Sequence, residues 1–148
     1  MSSQFGALIL LAAFNGGTRD ATIYDSYKEA YRAAQSEKLP VLVIMNPGGD
    51  ADARAVNLDM IRRTNLRREL LQKYVVAVID TSTPDGQVVH KLFESPSLPR
   101  ISVLDKSQKW QIYRTSKELS AEDWNLLLEK HQEGALPPPK AKPRDCFT

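Results

Sequence analysis

Two uninterrupted apolar runs, VLVIM at residues 41–45 and VVAVI at 75–79, constrain this chain more than any other feature. A strand with one wet face alternates apolar and polar residues, whereas a run of β-branched and apolar residues suits a strand buried on both faces. Both runs therefore belong inside a sheet. The stretch between them is rich in helix formers, and a helix joining two such strands makes a parallel pair with a crossover.

The remaining elements follow from local signals. Residues 25–38 are expected to be helical, with Ser26 and Glu29 as a capping box and Tyr27, Ala30, Tyr31 and Ala34 on one face. Asn46-Pro47-Gly48-Gly49 is a turn, after which a helix is expected from Asp50, burying Ala51, Ala53, Ala55, Val56, Leu58 and Ile61 on one side. Thr64-Asn65 interrupts or recaps it, and Leu66, Leu70 and Leu71 carry a further amphipathic turn or two. Thr83-Pro84 reads as an N-cap followed by proline at the first helical position, with Val88, Val89, Leu92 and Phe93 as the buried face. Residues 101–104 and 109–114 form a strand hairpin, and Ser120 with Asp123 opens a last helix that turns Trp124, Leu127 and Leu128 inward and stops near Gly134. The order predicts an α/β sandwich, a central mixed β-sheet with helices on both faces.

Composition narrows the function. Twenty Lys and Arg against eighteen Asp and Glu leave a net charge of +2, too little for a general nucleic-acid or anionic-membrane binder, and no nucleic-acid partner is expected. The one cysteine, Cys146, stands third from the C-terminus, which excludes an internal disulfide and a Cys-rich metal site. Residues 5–14, FGALILLAAF, match the length of a signal-peptide apolar core and are too short to span a bilayer, though Met1 to Gln4 carries no Lys or Arg. Residues 1–20 are thus a signal peptide, implying a periplasmic or secreted protein, or else an N-terminal arm of a cytoplasmic one. Residues 21–133 form the domain. Residues 134–148, with four prolines and three basic residues, are a flexible tail.

With the loop residues added, the order of elements resembles the thioredoxin family from about residue 24 to 132, as a three-layer sandwich. The family's active loop follows its central strand in a pattern like Lys-Pro-Val-Leu-Val-Asp-Phe-Trp-Ala-x-Trp-Cys-Gly-Pro-Cys. This chain runs without a gap through Leu39-Pro40-Val41-Leu42-Val43-Ile44-Met45-Asn46-Pro47-Gly48-Gly49-Asp50-Ala51-Asp52-Ala53. The resemblance implies that Asp50 and Ala53 replace the cysteine pair, Ile44 replaces the buried acid that assists thiol chemistry, and Gly49 replaces an aromatic residue. Ser97-Leu98-Pro99-Arg100 is similar to the family's Ile-Pro-Thr, which implies a cis Pro99 and a binding groove at Leu98, Pro99 and Arg100. Gly48, Gly49 and Asp52 then belong to the facing helix-start loop.

A thiolate at a helix N-terminus is stabilised by free N–H groups and the macrodipole, and Asp50 puts a permanent anion there instead. Helix capping accounts for Asp50 and Asp52 without a metal or a catalytic role. An ion pair from Arg100 to Asp50 or Asp52 is the expected contact across the two loops. His90 and His131 have no ligand partners at metal spacing and default to the surface. The cluster Arg62, Arg63, Arg67 and Arg68 reads as a solvated charged face. Cys146 in the tail has nothing to lower its pKa, and Pro137 to Pro139 read as linker. No catalytic residue, metal or cofactor is expected. The expected function is a redox-inactive thioredoxin-like module that binds a protein or peptide. The alternative is an enzyme on the same scaffold, using Cys146 with a partner's thiol or non-thiol chemistry at Asp50, Asp52 and Arg100.

Overall fold

The computed structural model describes residues 20–49 and 54–137. Its centre is a five-stranded mixed sheet in the order β1-β3-β2-β4-β5, formed by β1 (Ile23–Tyr24), β2 (Val41–Asn46), β3 (Val75–Asp80), β4 (Arg100–Leu104) and β5 (Gln111–Thr115). β2 and β3 are parallel, from Val41 opposite Val75 to Asn46 opposite Asp80, and β1 extends the parallel set beyond β3. β4 runs antiparallel to β2 and forms the hairpin with β5. The two apolar runs occupy inner strands, and every residue of Val41, Leu42, Val43, Ile44 and Met45 is fully buried.

Alternation sorts their side chains into two cores. Val41, Val43, Met45, Val75, Ala77 and Ile79 face α1 (Tyr27–Glu37) and α4 (Pro84–Leu92), meeting Ala30, Ala34 and Val89. Leu42, Ile44, Val76, Ile101 and Val103 face α2 (Leu58–Ile61), α3 (Asn65–Leu71) and α5 (Ala121–His131), meeting Ile61, Leu71, Trp124 and Leu128. The same alternation puts Leu104, opposite Val41, in the α1/α4 core, and an irregularity between Val103 and Leu104 shifts only the pairing with β5.

The caps are formed where the sequence marks them. Ser26 Oγ accepts from the Glu29 N–H, Thr64 Oγ1 from that of Arg67, and Thr83 Oγ1 from that of Gly86. Ser120 and Asp123 close a reciprocal box at the start of α5. Gly86 is required for packing, since a β-carbon there would collide with the carbonyl oxygen of Asp80.

Four expectations are corrected. The short edge strand β1 was not expected, because two residues carry no periodicity; pairing with β3 defines it. The helix expected from Asp50 does not run unbroken to Ile61: residues 54–57 are not α-helical, and α2 begins at Leu58 with Asn57 as its N-cap, whose Oδ1 accepts from the N–H groups of Asp59 and Met60. Alanine propensity in this stretch yields to a side chain that can satisfy first-turn donors. On α4, Val89 is buried but Val88 and Leu92 are 67% and 63% exposed, because only a narrow stripe of this helix meets β3. The arginine cluster is not one solvated face, since Arg67 is buried and its guanidinium donates to the carbonyl oxygens of Ile61 (2.6 Å) and Met60 (3.4 Å) and to Asn125 Oδ1 (3.3 Å). It closes the C-terminal end of α2 against α5.

Candidate functional site: the cleft beside Pro99

Three connections converge where the C-terminal end of β2 approaches the start of β4. The first is made by Asn46, the last residue of β2. Its side-chain Oδ1 accepts from the Val56 N–H (2.8 Å) and its Nδ2 donates to the Val56 carbonyl (3.4 Å), so one amide holds the returning chain as a neighbouring strand would. The Asn46 carbonyl accepts from the Thr81 N–H and Oγ1, which joins the end of β2 to the turn after β3.

The second connection is residues 93–99, between α4 and β4. Glu94 and Ser95 take left-handed backbone angles, φ 66° and 50°, and the Ser95 N–H returns to the His90 carbonyl at 2.8 Å. His90 Nε2 lies 2.8 Å from the Pro96 carbonyl oxygen. The Leu98–Pro99 peptide bond is cis. The third connection is the run between β5 and α5. There Ser116 Oγ accepts from Arg100 Nη1 (3.0 Å) and donates to the Ser97 carbonyl (2.8 Å), tying the Pro99 loop to the β5–α5 loop.

These connections enclose a cleft of about 460 Å³. Its apolar walls are Val56, Met60, Leu98, Pro99, Leu119 and Trp124, with the charged side chains of Arg54, Lys117 and Glu118 at the rim. Trp124 is 2% exposed and forms the floor, while Met60 is 37% exposed. Among the described residues no hydrogen bond is taken by the N–H or carbonyl of Leu98, and β4 begins only at Arg100. An extended segment laid beside Leu98 would find both groups available.

Of the residues singled out in the sequence, Leu98 and Pro99 line this cleft, and Arg100 stands behind it, bound to Ser116. Asp50, Asp52 and Ala53, and with them the expected ion pair to Arg100, lie outside the described residues; among those described, the Arg100 guanidinium donates to the Ser116 hydroxyl. Gly48 sits so close to the turn after β3 that a β-carbon would strike Ser82 Oγ and the Asp80 carboxylate, and Gly49 has φ 65°. The Asp80 carboxylate accepts from the Ser82 hydroxyl and then the Ser82 N–H, which holds its pKa below the usual carboxylate value. The histidines are half-buried and not on the open surface: His90 faces Pro96, and the His131 ring lies 5.4 Å from that of Tyr113. Burial, followed by the nearby Lys130, lowers the His131 pKa. No group of three potential metal ligands occurs among the described residues.

Sequence reasoning missed Asn46, Met60, Ser116, Leu119 and Trp124 as parts of this site. A lone asparagine ending a fully buried strand was the one available signal, since a polar side chain there needs a partner.

Comparison with solved structures gives the class. A thioredoxin from Thermus thermophilus matches with a TM-score of 0.62 at 20% identity, covering 76% of this chain and 87% of that one. A DsbH oxidoreductase matches with a TM-score of 0.54 at 13% identity, covering 90% and 94%. Trxlp from Edwardsiella tarda EIB202 matches at 0.51 and 15%, covering 72% and 98%. No protein-family model and no curated protein matches the chain. The fold is therefore thioredoxin-like, with the mixed five-stranded sheet and flanking helices of that α/β architecture.

Proposed function

We propose that this protein is a thioredoxin-like domain without dithiol chemistry, which binds an extended peptide segment of a partner protein in the cleft beside Pro99. The observation that carries the reading is the apolar cleft together with the Leu98 backbone at its lip, which makes no hydrogen bond among the described residues. Main-chain hydrogen bonds to an extended peptide supply affinity, and a side-chain pocket supplies selectivity. The redox half of the proposal rests on the sequence: Cys146 is the only cysteine, and Ile44, where the related proteins carry a buried acid, is fully buried among apolar neighbours.

Two measurements test it. A peptide array of extended segments, followed by titration of the best binder, should give affinity that a Leu119→Arg variant abolishes while its amide spectrum remains that of a folded domain. Binding that survives the arginine would remove the cleft from the proposal. In an insulin-reduction assay the wild type and Cys146→Ser should be equally inactive, and turnover dependent on Cys146 would favour the enzyme reading. We read residues 5–14 as an export signal, so the domain works in the periplasm or outside the cell. Sequencing of the mature N-terminus should begin near residue 20, and a start at residue 1 or 2 would return the protein to the cytoplasm. Among the described residues no helix is long and apolar enough to cross a membrane.

A further inference from the structure

β5 ends the sheet. Among the described residues it pairs with β4 alone, which leaves the N–H and C=O groups of its other edge as the arrangement that accepts an added strand. Beside this edge runs a second groove, of about 570 Å³, between β5 and α5 and distinct from the core of the cleft at Pro99. Its apolar surface is supplied by Tyr113, Leu126 and Leu127. Leu126 is 66% exposed although its helix neighbours Leu127 and Leu128 are almost completely buried.

The rim of the groove is cationic. Arg114, Lys117 and Lys130 stand along it, and none makes an ion pair among the described residues. Two acids, Glu118 and Asp123, are also present, the latter accepting the Ser120 N–H in the α5 capping box, so the three cations leave the rim positive by one charge. We propose that the β5 edge and this groove form a strand-addition site for an extended acidic segment of a partner protein, its apolar side chains seated on Leu126 and its carboxylates facing Arg114, Lys117 and Lys130.

Charge decides among occupants. A second copy would bring the same cationic rim against itself, and like charges across an interface oppose association. The chain's own C-terminal tail carries Lys140, Lys142 and Arg144 against Asp145, and its prolines have no N–H to give to a ladder. An acidic strand meets neither objection. This site shares Lys117, Glu118 and Leu119 with the cleft beside Pro99 but neither its floor nor its lip, so peptide-induced shifts tell the two apart.

The probes are two acetylated seven-residue peptides, one alternating glutamate with valine and one alternating lysine with valine, titrated into the isotopically labelled full chain and read by amide chemical shifts. The glutamate peptide should move the amides of β5 and the first turns of α5, and should bind about tenfold more tightly than the lysine peptide. Lys130→Glu should reduce its affinity about fivefold, and Leu126→Asp, at an exposed position that leaves the fold intact, should abolish it. Equal binding of the two peptides, shifts confined to the residues around Pro99, or no shifts at all would overturn the proposal. So would a stable dimer in sedimentation that protects the β5 amides, or acidic-peptide binding that emerges only after residues 138–148 are deleted.

Discussion

The two faces of the sheet are packed to different ends. Toward α1 and α4 the core is made of small and medium side chains, with Ala30 and Ala34 completely buried so that α1 lies close on the strands. Toward α2, α3 and α5 it is built from large side chains and polar ties: Trp124, Ile61 and Leu71, the Tyr74 hydroxyl donating to the Leu128 carbonyl at 2.7 Å, and the buried Arg67. Burial raises the Tyr74 pKa far above that of a free phenol, so the hydroxyl stays a donor at any ordinary pH. Both grooves open on this second face, on either side of the segment from Lys117 to Leu119. Close packing of small residues leaves no room for a ligand, whereas large residues with tied polar groups can wall a cavity and still hold its shape.

The contrast can be broken most directly at Trp124. Trp124→Ala should cost about 3–5 kcal/mol in denaturant unfolding and should also destroy peptide binding at the Pro99 cleft, since the floor is removed with the core. A smaller loss would show that the wall collapses to fill the space. Arg67→Met keeps the length of the stem but removes three donated hydrogen bonds, leaving the Ile61 carbonyl without its donor while the Met60 carbonyl keeps the Arg63 N–H; the expected loss is about 2–3 kcal/mol. On the opposite face Ala34→Leu should cost about 2 kcal/mol by overpacking while leaving peptide affinity at wild-type strength. If it weakens binding as much as Trp124→Ala, the two faces are not independent.

The smallest effect belongs to neither face. Asp105, in the turn of the β4–β5 hairpin, is buried, which raises its pKa. The Ser107 hydroxyl and the N–H groups of Trp110, Ser107 and Lys109 outweigh this and leave it lowered. A carboxylate with a lowered folded-state pKa adds stability above its unfolded pKa and loses it as pH falls through the folded value. The wild type should therefore lose stability through this group as pH drops below about 4, the unfolded carboxylate value, and on through the lower folded one. Asp105→Asn should flatten that part of the acid limb in a pH series of unfolding curves.

How far the sequence discloses this molecule depends on the range of the interaction involved. The inner strands were legible because burial on both faces forbids polar residues, and the caps at Thr83 and Ser120 because a hydroxyl and its N–H donor lie within one turn. Val88 and Leu92 misled because helical spacing states which residues share a stripe and not how wide a stripe the sheet covers. Arg67 looked like one more charged residue, since its carbonyl partners are made available only when α2 ends at Ile61 and α5 packs across it. The site divides in the same way. Pro99 was reached through resemblance, while Met60, Leu119 and Trp124 come from three separate elements that only the tertiary structure brings to one wall.

The Asn46 side chain has a further consequence for how such a protein changes over time. By gripping both backbone groups of Val56, it ties off the intervening segment at its base, as a drawstring closes a bag. Loop-closure entropy grows slowly, by about 0.6 kcal/mol for each doubling of length, so beyond Gly48, which is pressed against Ser82 and Asp80, the segment can be lengthened or shortened at little cost to the core. A chain closed in this manner can vary much of that segment and keep its architecture, which leaves the segment open to selection for a new task.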